Sequence, residues 1–113
     1  MTVHLLHRVM RTAVLALCLA ACTGASSTGI APVTCPPDST LTYANFGSSF
    51  MTENCGSWHD TQQGPALATQ SAVLSNSDAI LQAAVYTDAM PQNSNMDLQT
   101  RELLGEWLAC GAP

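Results

Sequence analysis

The part of this chain able to fold as one body is short, and that limits every reading of it. The chain has 113 residues, and near its start Arg8 and Arg11 precede an apolar run from Ala13 to Ala21 that no charge interrupts. Such a run is too short to span a bilayer and has the shape of an export signal. The expected organisation is a signal over 1–21, a flexible tether over 22–34 and a folded body over 35–113. A body of that size gains only roughly 3–5 kcal/mol from its core, so a covalent staple or a buried cofactor is expected. The tether residues are small and polar with Gly and Pro. Pro36-Pro37 exclude helix where the body begins.

The apolar run closes with Leu19-Ala20-Ala21-Cys22, which resembles the lipobox of bacterial lipoproteins. The resemblance implies that Cys22 becomes the first mature residue and carries the lipid. Cys18 follows Leu17, where a lipobox needs a small residue, and is discounted. Thr23 after the lipidated Cys points to the periplasmic face of the outer membrane.

Removal of the signal leaves Arg101 as the one Lys or Arg against eight Asp and Glu, a net charge of about −7. A surface of that sign repels phosphate backbones and excludes nucleic acid as a partner. It gives no electrostatic help at an anionic membrane, so attachment rests on the lipid. A basic redox partner protein would suit it.

Export places the remaining thiols in an oxidising compartment, where they tend to pair. With Cys22 lipidated, Cys35, Cys55 and Cys110 remain, an odd number that leaves one thiol free or otherwise engaged. Pairing Cys35 with Cys110 joins the ends of the body, adds about 4 kcal/mol on the chain-entropy estimate and leaves Cys55 over. Pairings of Cys55 with Cys35 or with Cys110 stay open.

Periodicity gives helices and no alternating strand signal, so the fold class is all-α. Over 42–53, Tyr43, Phe46, Gly47, Phe50 and Met51 share one face, with Gly47 in its middle where another element can cross closely. Residues 60–76 read mostly as loop. Ser77 and Asp78 look like a cap for a short helix over 79–87 with Ile80, Leu81, Ala84 and Val85 inward. Residues 88–96 are loop, and Met96 lies close to the helix that follows. Asp97 can cap that last helix, in which Leu103, Leu104, Trp107, Leu108 and Cys110 form one broad face opposite Glu102 and Glu106; Gly111 ends it.

The first helix leads into Cys55-Gly56-Ser57-Trp58-His59. Cys-x-x-Cys-His is the attachment site of c-type haem, where two thiols add to the vinyl groups and the His ligates iron. Here the first Cys and the His are present, and Trp58 stands in place of the second Cys. His59 is the one histidine left after signal removal, which excludes any site needing two.

The order of helix, Cys-x-x-x-His, Gly64-Pro65, short helix, Met90-Pro91 and terminal helix with an aromatic resembles a class I monohaem cytochrome c over nearly all of 35–113. The resemblance implies three to four helices with the N- and C-terminal ones crossing at Gly47 and Trp107. It implies one haem c, held by a single thioether from Cys55, with His59 and Met90 as axial ligands. Gly64-Pro65 then supplies a carbonyl that holds the imidazole, and Trp58 packs at the haem edge. The expected function is one-electron transfer with no substrate chemistry.

Two further readings of the same residues remain. A haemless cytochrome c-like module would fill the haem volume with Trp58. A Cys₃His zinc site would use Cys35, Cys55, His59 and Cys110, although no two of these cysteines are close in sequence. A Cys55–His59 nucleophile lacks an orienting third group.

Overall fold

The computed structural model describes residues 24–61, 64–92 and 95–113. The expected signal and Cys22, the expected site of lipid attachment, lie outside them. Just over half of the described residues (51 %) are helical and none forms a strand, so the body is all-α.

The first helix, α1, runs without a break over 43–59, six residues beyond the expected end. It alternates wide and regular turns: a π turn Tyr43–Gly47, α-helix Ser48–Met51, a second π turn Thr52–Gly56 and α-helix Ser57–His59. Thr42 opens it with a reciprocal cap, its hydroxyl accepting from the Asn45 N–H while the Asn45 side chain accepts from the Thr42 N–H. The extension past Glu53 puts Cys55 and His59, one turn apart, on the helix itself.

A short helix α2, Gln70–Ser75, replaces part of the loop expected over 60–76. Thr69 caps it by accepting from the Ala72 N–H, and Val73 is fully buried. One inward side chain in so short a stretch is too little for a periodic signal, so tertiary packing decides this helix. Helix α3 spans 77–85, as Ser77–Ile80 followed by a π turn Leu81–Val85. It starts two residues before the expected position, after Asn76, and neither Ser77 nor Asp78 supplies a side-chain cap. Ile80, Ala84 and Val85 point into the core.

Helix α4, Leu98–Ala109, has the expected ends. The Asp97 carboxylate accepts from the Thr100 N–H at 2.7 Å. At the other end Gly111 has φ +85°. The Ala112 N–H returns to the Trp107 carbonyl and the Gly111 N–H to that of Leu108, the paired bonds of a Schellman cap. Leu104, Trp107 and Leu108 are buried as expected, but Leu103 is 38 % exposed, and Arg101 occupies the inward position one turn before Leu104.

The α1–α4 crossing forms the centre of the core. Trp107 is fully buried, with Tyr43 and Phe46 rings 6.3 and 5.7 Å from its own. A Cβ on Gly47 would stand 2.2 Å from the indole Cζ2, so no other residue allows this approach. The chain ends are joined twice nearby: Cys35 is bonded to Cys110, 75 positions on, and the Tyr43 N–H donates to the Pro113 carbonyl.

The tether expectation fails for residues 26–33. Ser26 and Asp88 exchange two bonds, the Thr28 N–H and hydroxyl donate to the Tyr86 and Val85 carbonyls, and the Val33 N–H donates to the Tyr86 hydroxyl. Ile30 and Val33 pack on the core, Val33 against Gly105. Small polar residues suggest a free linker, but the backbone N–H groups of Ser26, Thr28 and Val33 find partners at Tyr86 and Asp88, just beyond the end of α3.

Candidate functional site

The last turns of α1, the 64–67 segment, α3 and the loop after it surround an apolar cavity of about 190 Å³. Cys55 and His59 reach it from α1, Pro65 and Leu67 close one side, Ile80 and Ala84 form the α3 wall, and Met90 closes it from the following loop. Cys55 and His59 are four positions apart, so they share a helix face. Met90 arrives from a remote part of the chain, so that thiol, imidazole and thioether residues border one space. A second cavity of about 110 Å³ lies beside it, again bordered by His59 and Met90, and on its outer side by Trp58 and Pro91.

Cys55 is the free cysteine among the described residues, since Cys35 and Cys110 are paired. That pairing removes two ligands from the Cys₃His zinc arrangement. Burial, and secondly the Asp60 carboxylate, push the Cys55 thiol up to about 11. The thiol is therefore protonated at neutral pH, and the thiolate needed for nucleophilic attack is scarce.

The His59 ring lies against Gly64, whose φ of +79° favours glycine; a Cβ there would stand 2.9 Å from both Nδ1 and Cε1. Nδ1 is buried and has no hydrogen-bond partner. The expected carbonyl from Gly64-Pro65 is thus not bonded to the imidazole; the segment instead packs on its edge, and Pro65 lines the cavity. Asp60, one residue beyond His59, holds the returning chain by accepting from the Leu67 N–H at 3.1 Å.

Trp58 is 43 % exposed. It does not line the larger cavity, so the indole leaves that space open, and it stands at the rim of the smaller one.

Arg101 carries a role that the sequence reading missed. It is 4 % exposed, and its guanidinium gathers the chain around Met90. Nη1 donates to the carbonyls of Ala84 (2.6 Å), Met90 (2.8 Å) and Thr87 (3.3 Å), and Nε donates to Met96 (3.2 Å). Met90 is held from the other side by its own N–H, which donates to the Ala83 carbonyl at 2.8 Å. The available signal was register: Arg101 lies three residues before Leu104 and seven before Leu108, on the apolar stripe, where a charge without a task is costly.

Among the described residues no three His, Cys, Asp or Glu side chains gather in a way that would hold a metal ion. No helix among them is long and apolar enough to cross a membrane. Comparison with known proteins gives no match to a family model, to a curated protein or to a solved structure.

Proposed function

We propose that this chain is an exported, lipid-anchored one-electron carrier. Its body is a cytochrome c-like domain in which Cys55, through a single thioether, and His59 and Met90, as ligands of the iron, would hold one haem. The observation that carries this reading is the meeting of Cys55, His59 and Met90 at one apolar cavity. Electron transfer is the whole task, and no residue acts on a substrate.

The residues fit such a group in chemistry. Gly64 packs so closely on the His59 ring that a Cβ there would stand 2.9 Å from it, and the cavity walls Leu67, Ile80 and Ala84 are apolar. When bound, haem supplies a one-electron iron couple, whose potential His/Met ligation raises. The chain does the rest. The last turn of α1 orients His59, and Gly64 packs on the ring. Arg101 draws the backbone on both sides of Met90 together, so the thioether is presented from a braced loop. The apolar walls exclude water, and Trp58 at the rim offers a polarisable surface toward a partner protein. The anionic surface suits a basic partner.

One observation favours a haemless cytochrome c-like module for structure or interaction: the 190 Å³ cavity falls below the roughly 300–1,000 Å³ of ordinary ligand sites.

The test is spectroscopic. The chain exported from a host competent in haem attachment should show a reduced α-band and stay red after acid–acetone extraction. Colourless protein from that host would overturn the reading. Trp58→Cys should raise haem content under the haem reading and leave the protein colourless under the haemless one.

A further inference from the structure

A thiol, an imidazole and a thioether around one apolar space make a donor set whose meaning does not depend on haem. We infer that the haem-free chain binds one monovalent copper ion in the 190 Å³ cavity through Cys55 Sγ, a ring nitrogen of His59 and Met90 Sδ.

Donor type selects the metal. Zinc is held by Cys, His, Asp and Glu, and no three of these converge among the described residues. A third donor is found only when a thioether is counted. Thioether and thiolate are soft ligands that select Cu(I), whereas oxygen ligands, which calcium and magnesium require, do not line the cavity as charged groups. Asn76 is its one amide.

Binding replaces the Cys55 S–H bond with an S–Cu bond and releases one proton to solvent. A thiolate with Cu⁺ makes a neutral unit, which apolar walls such as Leu67, Ile80 and Ala84 tolerate. The Asp60 carboxylate stands near Cys55, so the preference for Cu⁺ over Zn²⁺ rests on the soft donors rather than on charge. No electron is transferred, so no oxidant or reductant enters the step.

The framework is already in place. Cys55 and His59 sit one turn apart on α1, and Arg101 fixes the carbonyl of Met90 at 2.8 Å. The Cys35–Cys110 bond removes the two thiols that would otherwise compete for copper. His59 Nδ1, buried without a partner, is a nitrogen whose hydrogen-bonding capacity the protein leaves unused. A haem-bearing chain has the same ligands engaged, so haem and copper exclude one another.

The experiment uses the whole chain, exported in a host without haem-attachment machinery, and titrates it with Cu(I) against bicinchoninate under argon. We expect one copper and one released proton per chain. Cys55→Ser, His59→Ala and Met90→Leu should each weaken binding at least about tenfold, since loss of even a ligand's supporting partner costs 10–100-fold. Met96→Leu should leave affinity unchanged, and excess Zn(II) should not displace the copper. Far-UV circular dichroism verifies that each variant folds; Met90→Leu nearly conserves volume and is the variant expected to stay native. Failure to take copper from the competitor overturns the inference. So does binding unaffected by both His59→Ala and Met90→Leu, which means copper on an isolated thiol. Either result leaves the haem test in a competent host untouched, and colourless protein from that host leaves copper binding untouched.

Discussion

Gly47→Ala is the sharpest test of the packing. In an isolated helix the change gains up to about 1 kcal/mol, because glycine is a poor helix former. In this structure the added methyl stands 2.2, 2.5 and 2.8 Å from three atoms of the Trp107 ring, where carbon atoms normally rest about 3.5–4.0 Å apart. The ring has no exposure and is flanked by Tyr43 and Phe46, so it has nowhere to move without shifting α1 from α4. Overpacking of this kind costs typically about 1–3 kcal/mol, and the rigid neighbour places it at the upper end. The expected net loss is about 2 kcal/mol, or a fall of about 8–16 °C in Tm for a domain of this size. Urea denaturation with the disulfide intact measures it. Gly56→Ala on the same helix is the control: its methyl meets the movable Asp60 carboxylate at 3.2 Å, so the expected effect is neutral or stabilising by up to about 1 kcal/mol. With Trp107→Leu already present, Gly47→Ala should change sign and stabilise. Equal stability of Gly47→Ala and the parent, or a loss that persists without the indole, would refute the argument.

Three further outcomes follow from the same geometry. The Cys55 thiol, pushed up to about 11 in the folded state, adds stability that is complete below about pH 9 and disappears as pH rises toward 11; Cys55→Ala should flatten that part of a stability–pH curve, and alkylation of the native thiol at pH 8 should be slow compared with that of the unfolded chain. Reducing the Cys35–Cys110 bond should cost about 4.5 kcal/mol on the chain-entropy relation for its 75-residue separation, read as a shifted urea midpoint; an unchanged midpoint would mean that the bond constrains nothing. Arg101→Met keeps an apolar stem but strips the carbonyls of Ala84 and Met90 of their donor, for an expected loss of about 3 kcal/mol and faster amide exchange around Met90; unchanged exchange there would show that the guanidinium does not brace the loop.

The elements legible in the chain alone are those whose signals are local. Asp97 and Gly111 mark the ends of α4 by the hydrogen bonds that a carboxylate can accept and the φ that glycine can adopt. The spacing of Tyr43, Phe46, Gly47, Phe50 and Met51 marks one face of α1, and the glycine in that face marks a crossing. The cysteine count narrows the possible disulfides without choosing among them. Where the signal depends on distant partners, reading fails. Gln70–Ser75 is helical because Val73 finds a place in the core, and residues 26–33 join the body because the end of α3 offers them hydrogen-bond partners. Arg101 is buried because four carbonyls from separate positions converge on it.

The candidate site divides along the same line. Cys55 and His59 share a face because a helix repeats every 3.6 residues, so composition and spacing alone suffice to pair them. That Met90 faces them across an apolar cavity, that Trp58 stays at the rim, and that His59 Nδ1 is left unpaired are decided by packing between segments remote in sequence. Local periodicity carries no information about which remote surfaces exclude water together; only the closed chain, with α4 laid across α1, brings them into contact.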